Sequence, residues 1–206
     1  TSAAQYLSMT GIKYLGLVDD DSISLSNLNR QTLFTESDIG RKKVEILEKR
    51  LKDISPDSSI HKLKIKLKRS NIEKIFSDYE YILDCSDNFK TRFLINEFCF
   101  KMKKILVTAS LQNFDLQAAI LKSWEETNPC YECFFPSKNK YSQDSCDQMG
   151  IVATVAGIGG ALQGQLLINN VLNKNKNFSQ IILLSCSEIR MRKIIFHKNE
   201  NCKICK

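Results

Sequence analysis

Residues 14–31 read YLGLVDDDSISLSNLNRQ. Tyr14 to Val18 is a short apolar run bounded by polar residues, the pattern of a buried strand. It ends in three consecutive acids, Asp19, Asp20 and Asp21, and a polar loop continues to Gln31. In open α/β sheets, ligands bind beyond the carboxyl ends of the strands, so these carboxylates and the loop stand where a binding site is expected.

The flanking segments supply the rest of the pattern. Ser2 to Met9 reads as a helix with Gly11 just past its end. Lys42 to Ile54 is amphipathic, with Val44, Leu47, Leu51 and Ile54 on one side and Pro56 beyond. Ile60 to Leu67 alternates as a strand. Ser70 to Phe76 is a short helix with Ser70 as its cap. Tyr81 to Cys85 is a strand, Lys90 to Lys101 a helix with Phe93, Leu94, Phe98 and Cys99 inward, and Ile105 to Ser110 a strand. Strands alternating with helices through the first 110 residues point to βαβ units and a mostly parallel α/β sheet. Ala118 to Lys122, Ile181 to Leu184 and Lys193 to Phe196 are later strands that can extend it with antiparallel pairing.

Composition narrows the class. The chain has 206 residues, 26% charged and 43% hydrophobic. That excludes a disordered tail, a collagen-like chain and a disulfide-stapled miniprotein, and suits one domain. The net charge of +7 permits an anionic partner without demanding nucleic acid. In HKLKIKLKR, residues 61–69, Lys62, Lys64, Lys66 and Lys68 share one face and Leu63, Ile65 and Leu67 the other. Without aromatic interleaving or an RNA-binding signature, this reads as a half-buried strand with a solvated basic face, and no nucleic-acid partner is expected.

Gly150 to Val171 carries no charge and is long enough to span a bilayer. Its glycines and its amides, Gln163, Gln165, Asn169 and Asn170, instead fit a buried helix whose small residues allow close packing, so no membrane partner is expected. GIGGAL within it is not a dinucleotide fingerprint, because Leu162 stands where the third glycine belongs.

Eight cysteines occur with no secretory signal at the start, which points to a reducing compartment, the cytoplasm. Four form two CxxC pairs, Cys130–Cys133 and Cys202–Cys205. Two such knuckles present four thiolates, the donor set of a structural zinc site with no open position for catalysis. The competing reading is two unrelated turns or redox disulfides. Zinc would tie the end of the chain to its middle.

The candidate chemistry gathers at the strand ends. Asp19 can hydrogen-bond ribose hydroxyls, with Asp21 beside it. Ser26, Asn27, Arg30 and Gln31 put donors on the following loop. Arg41, Lys42 and Lys43 open the next helix and suit a polyphosphate. Asp87, in DCSDN with Asn88, holds the matching place after the third strand and is a natural magnesium ligand beside phosphates. No histidine competes as a base: His61 lies in the basic strand and His197 near the tail. Asp19, Arg30, Lys43 and Asp87 are required to share one rim of the sheet.

DDDSISLSNLNRQTLF, then IGRKKVE, LDCSDN, NPCYEC and NCKIC, occur in an order that resembles the ThiF/MoeB-type activating enzymes of ubiquitin-like proteins. The resemblance covers nearly the whole chain. It implies a Rossmann-like α/β domain with helices on both faces of the sheet and a zinc-knuckle-tethered C-terminal extension. The domain would span 1–206, with the knuckle and a mobile crossover loop over 128–150 inside it. The implied activity is ATP- and magnesium-dependent adenylation of the C-terminal glycine of a small sulfur-carrier protein ending in Gly-Gly. The implied assembly is a homodimer, with a sulfurtransferase or cysteine desulfurase as a further partner. By position, Asp19 is the ribose contact, and Asn27, Arg30, Gln31 and Lys43 are the triphosphate contacts. Asp87 is the magnesium ligand, and Cys130, Cys133, Cys202 and Cys205 are the zinc ligands. Cys146, in the polar stretch Ser137 to Gln148, falls on the cysteine used in some members for covalent or sulfur-transfer chemistry.

The chain departs from the family in places. The glycine-rich GxGGxG loop of the family would immediately precede Thr1, and without its backbone N–H groups weak ATP binding is expected. DLQ near Asp115 replaces a glycine before the Gln, and Lys42 stands where proline is common. Carriers of the thiamine and molybdopterin type fit alike, with RQTLFTESDIG leaning toward thiamine. The alternatives are a relative that adenylates a tRNA-base carboxylate and a non-catalytic zinc-stabilised scaffold.

Overall fold

In a computed structural model that describes residues 1–136, 151–174 and 177–206, the chain alternates helix and strand and then closes with antiparallel strands. The elements are α1 (Ser2–Met9), β1 (Tyr14–Val18), α2 (Lys43–Ile54), β2 (Ser59–Leu63), α3 (Ile72–Phe76), β3 (Tyr81–Asp84), α4 (Phe89–Lys101), β4 (Ile105–Gln112), β5 (Asp115–Leu121), α5 (Tyr131–Phe134), α6 (Ala153–Val171), β6 (Gln180–Ser185) and β7 (Arg190–Ile195). Cys146 and its polar stretch lie outside the described residues.

The strands form two sheets. β1 pairs with β2 in parallel, and a five-stranded sheet runs β3-β4-β5-β6-β7. β3 and β4 are parallel; β4 to β7 are successively antiparallel. Parallel pairing therefore belongs to the first half of the chain, and the architecture as a whole is mixed.

Helices cover both faces of the larger sheet because its strands alternate. Leu106 packs with Ile72, Ile75, Ile95, Phe98 and Cys99 of α3 and α4. Its neighbours Ile105 and Val107 point the other way, to Leu7 of α1 and Leu166 and Leu167 of α6. A separate core joins Leu17 and Ile60 of the small sheet to Val44, Ile46, Leu47 and Leu51 of α2.

The glycines of α6 make its close packing possible. A Cβ on Gly160 would meet Ser2 Cβ at 2.4 Å, and one on Gly159 would meet Leu111 Cδ2 at 2.8 Å. The uncharged segment is thus a packing helix, and no described helix is long and apolar enough to cross a membrane.

Several boundaries differ from expectation. β2 stops at Leu63, opposite Val18, because its partner β1 ends there; Ile65 is exposed. The basic face is met by acids: Lys62 pairs with Glu48, and Lys64 Nζ lies 2.7 Å from Glu45, both on α2. α3 starts at Ile72 after Asn71, not after Ser70, since Asn71 Oδ1 accepts the Lys68 N–H and closes the preceding turn. On α2, Ile46 is buried and Ile54 exposed. On α4, Arg92, Ile95 and Asn96 are buried with Phe98 and Cys99, whereas Phe93 and Leu94 are half-buried.

Candidate functional site

The end of β1 is stitched to the start of α2. Asp19 Oδ1 accepts the Asp21 N–H at 2.8 Å, which turns the acidic run back on itself. Lys43 binds the same residue twice: its N–H donates to Asp21 O at 3.1 Å, and its Nζ lies 2.9 Å from Asp21 Oδ2. Ile23, buried, donates to Arg41 O, and its carbonyl accepts the Gly40 N–H. Burial pushes the Asp19 carboxyl up, while the Asp21 N–H and the Lys43 ammonium oppose the rise. Asp19, Asp21 and Lys43 therefore form one charged group at a strand end.

The next loop is a single helical turn, Leu25–Asn27. Asn27 is buried and structural: its Oδ1 accepts the Ser24 N–H, and its carbonyl accepts from Arg30 and Gln31. Ser26 Oγ bonds Ser24 Oγ, and its carbonyl accepts Arg30 Nη1 at 3.0 Å. Arg30 also reaches Asn29 Oδ1, so its guanidinium folds over its own turn. Gln31 Oε1 is buried without a hydrogen-bond partner.

Asp87 and Asn88 occupy the junction of β3 and α4. Asn88 caps the helix by accepting the Thr91 N–H at 2.9 Å. Asp87 is exposed, and its Oδ1 accepts Asn88 Nδ2 at 3.2 Å. Beneath them lies a network that the sequence reading missed. Arg92 Nη1 pairs with Asp84 Oδ2 at 3.1 Å and donates to Ala109 O, while Nη2 donates to Ser86 O. Asp84 Oδ1 accepts both the N–H and the Oγ–H of Ser86. Gln163, on α6, donates to Asp84 O and Val107 O and accepts from the Cys85 thiol. The loop carrying Asp87 is thus clamped to β3, β4 and α6. The available signal was an acid closing the apolar run YILD and an arginine at helical spacing from Asn96 and Cys99.

The two groups are separate. Among the described residues, no hydrogen bond or ion pair joins Asp87 to Asp19, Arg30 or Lys43. Both groups follow the carboxyl ends of parallel strands. The start of α1 packs on Gly160. His61 lies 3.4 Å from Tyr79 Oη and His197 is exposed; neither joins these groups.

The four knuckle cysteines converge. Cys130 Sγ lies 3.5 Å from Cys202 Sγ and 3.9 Å from Cys133 Sγ, and Cys133 Sγ lies 3.4 Å from Cys205 Sγ. All four sulfurs lie within 4.8 Å of one another. A tetrahedral ion about 2.3 Å from each sulfur sets neighbouring sulfurs about 3.8 Å apart, so the spacing fits a metal ion. Asn199 and Ile204 N–H groups donate to Cys133 and Cys202 at 3.4 Å. Hydrogen bonds from Cys130 and Cys205 hold the Cys133 thiol well below its usual range, and the Asn199 N–H adds to this. The same sharing pushes Cys130 up. Asp19, Asp20 and Asp21 form a second cluster with that spacing.

A sequence profile described as the ThiF family matches residues 1–204. The Escherichia coli protein named sulfur carrier protein ThiS adenylyltransferase is 32% identical over 206 residues, covering 100% of this chain and 81% of the relative. A Thermus thermophilus sulfur carrier protein adenylyltransferase is 30% identical over 206 residues, 98% of this chain and 76% of its own length. A Candida glabrata protein named adenylyltransferase and sulfurtransferase UBA4 is 35% identical over 182 residues, but the match spans only 42% of it. Among solved structures, Escherichia coli MccB with ATP superposes with a TM-score of 0.85 at 19% identity, over 100% of this chain and 62% of that one. At that identity the likeness establishes the fold.

Proposed function

The chain belongs to the ThiF family, and from that premise we propose that it uses ATP to adenylate the C-terminal glycine of a small ubiquitin-like sulfur-carrier protein. The observation that carries the reading is Lys43, tied to Asp21 by its backbone N–H and by its ammonium at the strand end where Asp19 stands half-buried.

The reaction needs no base. A terminal carboxylate, with a reference pKa of about 3.5, is already ionised at neutral pH. One of its oxygens bonds the α-phosphorus, the bond from that phosphorus to the bridging oxygen breaks, and pyrophosphate leaves with the electron pair. The barrier is repulsion between two anions, which fixed cations and orientation lower. Lys43 and Arg30 neutralise phosphate charge, with Ser26, Asn27 and Gln31 lining the loop. Asp19 accepts from the ribose hydroxyls, with Asp21 setting the position of Lys43. Magnesium, when bound, spreads the phosphate charge; Asp87 holds it, with Asn88 orienting the Asp87 carboxylate. Cys130, Cys133, Cys202 and Cys205 hold zinc in a structural role, since four thiolates leave no place for substrate.

The wider setting belongs to the same reading: a cytoplasmic homodimer, a carrier ending in Gly-Gly of thiamine or molybdopterin type, and a sulfurtransferase or cysteine desulfurase that supplies sulfur afterwards. Cys146 is the nucleophile for any covalent link to the carrier. ATP–pyrophosphate exchange on the full-length protein, dependent on such a carrier, tests the function. Asp87→Ala is expected to abolish exchange with an unchanged circular dichroism spectrum; normal exchange would remove the proposed role. A disulfide or thioester adduct with the carrier, lost in Cys146→Ser, tests the cysteine.

A further inference from the structure

Asn96 lies in the middle of α4 and is 1% exposed. Its Oδ1 accepts the backbone N–H of Tyr131 at 2.8 Å, the residue after Cys130. Its Nδ2 is also buried, yet makes no hydrogen bond of normal geometry. A buried amide donor without an acceptor is costly and calls for an explanation. The group beside it is the Cys130 sulfur, on the residue preceding Tyr131. Cys133 and Cys202 each accept a backbone N–H, from Asn199 and Ile204; at the fully buried Cys130 the Asn96 amide stands in that place.

We propose that Asn96 is the outer donor to a metal-bound Cys130 thiolate, a positioning residue that locks the first knuckle to α4 through one amide. Nδ2 serves the sulfur, and Oδ1 serves the adjoining backbone. A metal ion keeps Cys130 deprotonated, which turns the weak contact into a charge-assisted hydrogen bond. This inference rests on the reading that the four cysteines hold a metal ion.

Asn96→Asp separates the two halves of the amide. It keeps an oxygen for the Tyr131 N–H but turns a second oxygen on the thiolate. In the full-length protein loaded with zinc, competition with a chromophoric chelator is expected to show about 10- to 100-fold weaker retention, with an unchanged circular dichroism spectrum. In the cobalt(II)-loaded protein the sulfur-to-metal charge-transfer band shifts. Wild-type retention in Asn96→Asp would overturn the proposal, because a merely structural amide is satisfied by the remaining oxygen. If the variant does not fold, the wild-type chain loaded with cadmium-113 gives the answer. Coupling of the metal to an Asn96 side-chain amide proton, alongside the Asn199 and Ile204 backbone protons, supports it; coupling to those two alone overturns it. A wild-type chain that retains no zinc overturns the metal reading and this inference with it.

Discussion

Arg92 is 7% exposed, and its guanidinium joins Asp84, the Ser86 carbonyl and the Ala109 carbonyl beneath the loop that carries Asp87. Removing one partner of a buried pair leaves the other charge stranded, at a cost of about 3–5 kcal/mol. Arg92→Leu is therefore expected to lower the urea midpoint sharply; a shift under about 1 kcal/mol would show that Asp84 finds other partners. Glu97 offers a pH test. Hydrogen bonds from Arg69 outweigh desolvation and, with Lys101 added, hold its carboxyl at about 2 against an ordinary 4.5. A depressed carboxylate stabilises the fold above its unfolded value, so that contribution is present above pH 4.5 and is lost as pH falls toward 2. Glu97→Gln should flatten stability over that window; an unchanged slope would discount the pair. Single residues were read from the sequence where charge marked them, as with Asp19 and Lys43. Arg92 escaped because a charged residue paired inside a core leaves no periodic trace, and its neighbours Phe93 and Leu94 suggested a different inward face.

α6 packs through glycines that differ in what surrounds them. Gly160 abuts Ser2 and Ala3 at the start of α1, whereas a Cβ on Gly157 meets nothing within 4 Å. Gly160→Val is expected to cost about 1–3 kcal/mol by overpacking, because it displaces the start of α1. Gly157→Ala should instead stabilise by up to about 1 kcal/mol through helix propensity. Thermal melts of the two separate space from propensity; equal losses would discount the contact. Elements with marked ends were legible: α1, with Gly11 just past it, and β1, closed by three acids, match the sequence reading end to end. β2 did not, because its alternation runs on to Leu67 while its ladder needs β1, which stops at Val18. Strand length is set by the partner, a fact absent from the strand's own residues.

At the scale of the molecule, a parallel first half supplies strand ends for a site, and the antiparallel strands β5 to β7 lead the chain back to the second knuckle. Cys130 and Cys202 are separated by 72 residues yet their sulfurs lie 3.5 Å apart. Cys202→Ser is expected to lose zinc and lower the melting temperature together; loss of zinc without thermal change would make the site dispensable for folding. With the proposed ion bound, a chain closed in this way rather than by a covalent bond would have the connectivity of a ring between its knuckles. A protease that cuts the backbone anywhere inside the ring would release no fragment under native conditions while the ion stays bound. Adding a chelator to the nicked protein would then open the ring, and size-exclusion chromatography before and after would show one species becoming two wherever the remaining contacts cannot hold the pieces together.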